Sequence, residues 1–463
     1  MHPKRALAGS ALSCTVVSLG GSDGALATAD GIAGPIRVAS GVPGDRGTVR
    51  VLHSGQHGAW ARWLHIEEPS LYRRAAECSA VGRCGGCPWQ MVDPELQRQE
   101  RLDRLKKVLA NWLPESVAKQ ASWAQVLPMT VGYRSRAQVV LGRKRGRIVW
   151  GFWAPGSQEL VAVELCPAHL RSVDQVLNRA ADALDRAGIP VADESEGPTA
   201  TGIIWRTDPR SEQGLLTILC GDPALIAPAA ERLAEIPGVR GVFAAPVARR
   251  GGPPISEAAT LLAGEPHSEV TWRFRNSGLP ELTLQLGASA FVQTRHDAAE
   301  TLVDVVAGML PAQGAGLLDL YSGVGVFGLA LRHRYAKVWL AEREGPAIED
   351  ARRNADLLGA DHVETHGGDA TAILDQLLAQ GAGFTAAVVD PPRAGCGAAV
   401  ANRLSDAAEL LDIAYVSCGQ SGLERDIAAF VSRGWQVVKL QAVEMFPHTP
   451  HAEAVLHLRR KRP

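Results

Sequence analysis

The sequence predicts an α/β protein: a C-terminal Rossmann-like sheet preceded by a small β-barrel and a central α+β region. Three observations predict it. From Leu282 onward short apolar runs and helical patterns alternate regularly, as parallel strands joined by crossover helices do. Residues 11–70 are instead short β-like runs separated by Gly-rich turns. Between these regions Cys78, Cys84, Cys87 and Cys166 form a set by spacing, unlike the scattered Cys14, Cys220, Cys396 and Cys418.

The chain has 463 residues, 46% of them hydrophobic, which suits about three domains at roughly one per 150 residues. The expected boundaries are 11–70 for the barrel, 71–281 for the central domain and 282–463 for the C-terminal domain. In the barrel, the runs Thr15–Leu19, Gly34–Val38, Thr48–Leu52 and Ala59–Trp63 read as strands. A helix is expected over 93–110, with Leu96, Leu102, Leu105 and Leu109 near helical spacing and a place against the C-terminal domain. The central region mixes short strands with a helix over Ser172–Ala187 and a loop over Asp193–Ala200.

The formal net charge of −1 gives no global reason to bind nucleic acid. The distribution says more: Arg134, Arg136, Arg143, Lys144, Arg145 and Arg147 follow one another with no acidic residue among them. No apolar run approaches the roughly 18 residues a bilayer span needs, so a soluble cytoplasmic protein is expected. In a reducing compartment clustered cysteines are metal ligands rather than disulfides. Cys78-x5-Cys84-x2-Cys87 with Cys166 suits either zinc or a 4Fe-4S cluster. His448, His451 and His457 also have spacings that could suit metal, but Pro447 and Pro450 stiffen that loop, and shaping a pocket is the expected role.

A cofactor site is read at Asp319-Leu-Tyr-Ser-Gly323-Val-Gly325-Val-Phe-Gly328. The pattern contains GxGxxG, which alone could mean a dinucleotide. Here a carboxylate ends the strand, where it would repel a pyrophosphate at the helix start. S-adenosylmethionine (SAM) carries an ammonium group instead, which a carboxylate welcomes. The next strand, Ala336–Ala341, ends in Glu342, placed for ribose hydroxyls. The third, Val363–His366, leads to Asp369, placed for the adenine amino group. Three acceptors at three strand ends favour SAM over NAD.

The reacting site is read at Cys418, which ends the apolar run Leu411–Ser417. Asp390 ends the preceding run, Phe384–Val389, so the two belong side by side at the ligand-binding edge of the sheet. A thiol is mostly neutral at pH 7 and needs a setting that favours thiolate to act as a nucleophile.

These pieces resemble the RNA uracil-5-methyltransferase family, in its iron–sulfur branch acting on 23S ribosomal RNA. The resemblance rests on the glycine loop, Phe291-Val-Gln293, Asp390-Pro-Pro-Arg-Ala-Gly395, Val416-Ser-Cys418, Met445-Phe-Pro-His-Thr-Pro-His-Ala-Glu453 and the four cysteines. It covers essentially the whole chain. Residues 11–70 resemble the RNA-binding TRAM barrel.

The resemblance implies attack by Cys418 on uracil carbon-6, methyl transfer to carbon-5, and removal of the carbon-5 proton by Glu453. Asp390 is expected to hold the target base or orient the site. It implies SAM contacts from Gln293, Tyr321, Gly323, Gly325, Glu342, Asp369 and Asp390. It also implies a flipped uridine, a 4Fe-4S cluster on Cys78, Cys84, Cys87 and Cys166, large-subunit ribosomal RNA as partner, and a monomer. Three positions depart from the family pattern: Gly419-Gln420 replace Asn or Asp then Pro, Arg295 replaces an Asn, and Val326 replaces another. A tRNA uracil-5 enzyme, an RNA cytosine-5 enzyme and an inactive RNA-binding homologue are the alternatives.

Overall fold

A computed structural model describes residues 6–21, 24–56, 58–191, 198–246 and 259–461. The expected loop Asp193–Ala200 lies outside them as far as residue 197. The chain divides into two compact units. The first contains residues up to 103 together with 151–167 and 446–451; the second contains 104–150, 168–445 and 452 onward.

The first unit opens with five strands: β1 (Ala11–Ser18), β2 (Ala25–Thr28), β3 (Ile36–Val38), β4 (Arg46–Gly55) and β5 (Gly58–Glu68). They close into a barrel in the order β1-β2-β3-β5-β4. Alternation of side chains along each strand drives closure, because Cys14, Val16, Ile36, Val38, Val49 and Ala61 all point into one core. The strand β2, absent from the sequence expectation, is an Ala-rich run of low β propensity; pairing with both β1 and β3 makes it a strand. After the barrel, Trp89, Met91 and Val92 pack on Leu19 and Val42. The helix α1 (Pro94–Val108) then begins where Asp93 Oδ1 accepts the N–H groups of Glu95 and Leu96 at 3.0 and 3.3 Å.

Next come α2 (Glu115–Gln120), β6 (Ser122–Trp123), β7 (Arg136–Lys144), β8 (Arg147–Trp153) and β9 (Leu160–Ala162). The hairpin end of β8 and β9, with Gly151 opposite Ala162, belongs to the first unit. In the second unit follow α3 (Arg171–Arg186), β10 (Ala200–Thr207), β11 (Gly214–Cys220), α4 (Ala230–Ala234), β12 (Val239–Ala245) and β13 (Thr260–Gly264). Their sheet runs β13-β12-β11-β10-β7. The buried side of α3 carries Val173, Val176, Leu177, Ala180, Ala181 and Leu184, an i, i+3, i+4, i+7 stripe.

The strands β14 (Ser268–Trp272) and β15 (Leu282–Leu286) form a separate antiparallel pair. Leu282 therefore does not begin the parallel sheet, as its place in the alternating pattern predicts; β15 pairs back on β14 instead. After α5 (His296–Met309) the main sheet starts: β16 (Gly314–Leu320), α6 (Val326–Leu331), β17 (Tyr335–Glu342), α7 (Gly345–Leu357), β18 (Val363–Gly367), α8 (Ala370–Ala379), β19 (Ala386–Val389), α9 (Gly397–Asp406), β20 (Asp412–Ser417), α10 (Gln420–Ser432), β21 (Trp435–Val443) and β22 (Glu453–Arg460). The order is β18-β17-β16-β19-β20-β22-β21-β6. The first five are mutually parallel, while β22 runs antiparallel between β20 and β21. Leu317, Leu318, Val338, Leu340, Ala387, Val388, Ile413 and Val416 have no exposed surface, as expected where helices cover both faces. The strand order reverses on the two sides of β16, so the carboxyl ends of β16 and β19 are the place where doubly wound sheets bind ligands.

Candidate active site

Parallel β19 and β20 pair with Val389 opposite Tyr415, so Asp390 and Cys418 emerge at the same edge. On the other side of β20 the antiparallel register pairs Ser417 with Ala454. One further step along that ladder sets Cys418 opposite Glu453. Three strands thus deliver a thiol and two carboxyls to one place, the sheet edge where ligands bind in doubly wound folds.

Burial controls their chemistry. Glu453 is 1% exposed, and among the described residues its Oε2 has no hydrogen-bond partner. Burial and the neighbouring Asp390 push its carboxyl well above the ordinary range, against an opposing pull from Arg393. Burial raises Asp390 to about 7. The half-buried Cys418 thiol is pushed up to about 11, by burial first, then by Glu453 and Asp390; the Arg393 charge and its side-chain hydrogen bond act the other way. Arg393 is thus part of the site, a role that its place in the Asp390-Pro-Pro-Arg393 motif could have signalled.

At the end of β16, Asp319 is fully buried; its Oδ2 accepts the Gly328 N–H of α6 at 2.8 Å, while Oδ1 has no partner among the described residues. Burial raises its carboxyl to about 7. The Ser322 hydroxyl is likewise buried and unpartnered among the described residues. Gly325 caps α6 at φ +86, and a Cβ there would come 2.9 Å from Leu340, so glycine is needed twice over. Tyr321 also adopts positive φ, at +66, held by its N–H on the Ala341 carbonyl at 2.9 Å. Burial, Cys396, Asp426 and Asp369 push its hydroxyl pKa up.

Glu342 ends β17 and accepts the N–H groups of Gly323, Arg343 and Glu344 at 3.0, 2.7 and 2.9 Å. Its carboxylate thereby fixes the glycine turn. Asp369 caps α8, accepting the Thr371 N–H at 2.9 Å and the Thr371 hydroxyl, and these bonds hold its carboxyl below the ordinary range.

Gln293 lies half-buried in the β15–α5 connection. Two buried arginines fix that connection. Arg206 donates to the Ala290 and Gly287 carbonyls, both at 2.5 Å. Arg295 forks onto Asp297 at 3.0 and 2.9 Å and reaches the carbonyls of Glu444 and Leu127 at 3.1 and 2.5 Å. Arg206 carried no signal in sequence beyond being a charge inside an apolar strand.

Other expectations meet the structure less directly. Cys78, Cys84, Cys87 and Cys166 all fall in the first unit and are half-buried. Among the described residues no three His, Cys, Asp or Glu side chains gather so as to hold a metal. In the basic run, Arg143 pairs with Asp185 at 2.7 Å and Arg147 with Asp182 at 3.3 Å, both on α3. His457 does not shape the pocket: it pairs with Asp412 at 2.7 Å, at the opposite end of β20 from Cys418. His448 meets Gln97 at 3.2 Å within the first unit. No described helix is long and apolar enough to cross a membrane.

No family model matches the chain. It is 26% identical over 437 residues to an uncharacterized RNA methyltransferase of Bacillus cereus, covering 92% of each. It is 28% identical over 467 residues to an uncharacterized RNA methyltransferase of Gloeobacter violaceus, covering 99% of each. Among solved structures it is similar to the tRNA (uracil-54, C5)-methyltransferase of Pyrococcus abyssi in complex with S-adenosyl-L-homocysteine. The TM-score there is 0.73 at 21% identity, over 96% of this chain and 99% of that one. The fold is therefore that of a Rossmann-like methyltransferase preceded by a small barrel.

Proposed function

We propose that the protein transfers a methyl group from SAM to carbon-5 of a uridine in RNA, through a covalent adduct between Cys418 and carbon-6. The observation that carries this reading is the register that sets Glu453 opposite Cys418, with Asp390 beside them. The similarity to proteins named RNA methyltransferases supports the reaction class. The cradle suits SAM, because a buried acceptor on Asp319 and a buried hydroxyl on Ser322 have no partner among the described residues. An ammonium group satisfies the first, and SAM, when bound, supplies an electrophilic methyl group. Glu342 orders the turn that the ribose approaches, and Gln293, Tyr321, Gly323, Gly325, Asp369 and Asp390 complete the cofactor contacts.

In the reaction, the Cys418 thiol gives its proton to solvent, and the thiolate sulfur bonds to carbon-6, which makes carbon-5 nucleophilic. Carbon-5 then takes the methyl group. A carboxylate at Glu453 removes the carbon-5 proton, and the electron pair left behind expels the sulfur. Asp390 orients the base. The target uridine leaves its stack to reach this edge.

Within the same proposal, Cys78, Cys84, Cys87 and Cys166 hold a 4Fe-4S cluster with a structural role. Cys78 and Cys84 sulfurs already accept the Ala80 and Gly86 N–H groups, both at 3.4 Å, the kind of bond that supports cluster thiolates. The cysteine set favours 23S ribosomal RNA as substrate, the barrel being a TRAM-type RNA-binding module of a cytoplasmic monomer. The similarity to the Pyrococcus abyssi enzyme favours a second reading, tRNA. Incubating the protein with methyl-labelled SAM and either RNA, then mapping the label, tests both. Label in 5-methyluridine of ribosomal RNA supports the first, label in tRNA the second, and label in 5-methylcytidine or in neither RNA overturns the uridine reading.

A further inference from the structure

The second unit holds a cavity of about 390 Å³ between the β10–β11 turn, the β13–β14 connection and the β14–β15 pair. Two of the residues lining it, Asp208 and Ser268, are each only 4% exposed. Asp208 Oδ2 accepts the Ser211 N–H at 3.1 Å, which ties the turn, while Oδ1 has no partner among the described residues. The Ser268 hydroxyl has none there either. A buried carboxylate oxygen and a buried hydroxyl are unfavourable unless something from outside the chain meets them. One water would need only about 10–15 Å³. This cavity is more than an order of magnitude larger and falls in the range of ligand sites, about 300–1,000 Å³.

Charge selects the ligand. Three carboxylates, on Asp208, Glu265 and Glu269, line the cavity against one guanidinium, on Arg240. Burial and Arg353 lower the pKa of His267 in the same wall, so it adds no positive charge at neutral pH. The balance repels an anion and draws a cation. The open Asp208 oxygen can only accept, and the Ser268 hydroxyl can accept as well as donate. An ammonium group brings three donors and the charge. Among the described residues no three His, Cys, Asp or Glu side chains gather so as to hold a metal, so these carboxylates suit separate ammonium groups better than one ion. Asp208 lies at the buried end, whereas Glu265 and Glu269 are exposed. Pro266, beside Glu265, gives methylene groups an apolar surface in the same wall.

We propose that this cavity binds an aliphatic polyamine: one ammonium group donates to Asp208 Oδ1 and Ser268 Oγ, and a second is held by Glu265 and Glu269 at the mouth. The site does not depend on the reading of Cys418 as a nucleophile.

The test is isothermal titration calorimetry of spermidine into the full-length protein, freed of RNA. The wild type is expected to bind one spermidine saturably, and Asp208→Asn to weaken binding about tenfold or more, the loss of a hydrogen bond between charged groups. That variant keeps an oxygen for the Ser211 N–H, so the turn keeps its tie. Should it still fail to fold, Ser268→Ala is expected to weaken binding about threefold. Glu269→Gln is expected to weaken spermidine about twofold, as an exposed ion pair does, and to leave butylamine, which has one ammonium group, unchanged. No saturable heat with the wild type overturns the proposal, as does undiminished affinity in Asp208→Asn or, where that variant does not fold, in Ser268→Ala. Displacement of spermidine by equimolar magnesium at matched ionic strength overturns it in favour of a metal-ion site. Failure of the methyltransferase reading registers separately, in the RNA labelling, and leaves these titrations untouched.

Discussion

Glu453 faces Cys418 across the β20–β22 ladder, one residue beyond the paired Ser417 and Ala454. The antiparallel insertion of β22 into an otherwise parallel sheet makes this pairing. On the proposed mechanism, Glu453 acts at the last step of the reaction rather than the first. Glu453→Gln is therefore expected to retain attack and methyl transfer but to stall elimination, with turnover falling about 10²–10⁴-fold. Denaturing gels checking for a protein–RNA band in the variant decide the point; slow turnover with no accumulated band contradicts it.

Asp319, at the end of β16, couples pH to stability. Its folded-state carboxyl stands near 7 against an ordinary 3.8. Between about pH 4 and pH 7 the folded state holds a proton that the unfolded chain has lost, so stability falls as pH rises through that window. Asp319→Asn removes the loss and is expected to be more stable than the parent at pH 8, by on the order of a few kcal/mol, with the difference vanishing near pH 4. Its SAM affinity is expected to drop. Urea unfolding at the two pH values tests this, and an equal difference at both contradicts it.

At Gly419, where the family resemblance leads one to expect Asn or Asp, a Cβ would come 2.3 Å from the Arg393 carbonyl. Gly419→Asn is expected to destabilise the fold by roughly 1–3 kcal/mol, because the turn and the Arg393 segment must part. A crystal structure or melting curve showing the side chain accommodated at no cost contradicts this close approach.

Arg295 is buried and has a bidentate partner in Asp297. Arg295→Asn leaves the half-buried Asp297 without its ion pair and frees the Gln293 connection. The expected cost is about 3–5 kcal/mol, together with weaker SAM binding. Calorimetry with SAM checks it; unaltered affinity in a folded variant removes the link between Arg295 and the cofactor loop.

For the four cysteines, anaerobic reconstitution with iron and sulfide is expected to load iron and labile sulfide, and Cys166→Ser to lose both. Elemental analysis of the purified protein that finds zinc alone contradicts the cluster.

Much of this site could be read from the chain because buried parallel strands are continuous apolar runs whose ends mark the ligand edge. Asp390, Cys418 and Glu342 lie at such ends. What escaped depends on partners far away in sequence. The short strand β2 exists through pairing, and β15 joins β14 because Leu282 faces Trp272 rather than the main sheet. Asp426 breaks the apolar stripe of α10, a sign of a buried acceptor, but its donors Cys396 and Gly397 lie about thirty residues earlier. The strand-end position of Asp369 suggests an adenine contact, while its local bonds make it a helix cap, a role the Asp-x-Thr sequence also suggests.

The most direct measurement is mass spectrometry of the protein incubated with SAM and 5-fluorouridine-substituted RNA, where fluorine at carbon-5 blocks the final proton removal. The account predicts a stable product with a methylated fluoropyrimidine attached to the peptide containing Cys418, abolished in Cys418→Ala. A product attached at another residue, or methylated RNA released with no attachment at all, would contradict it.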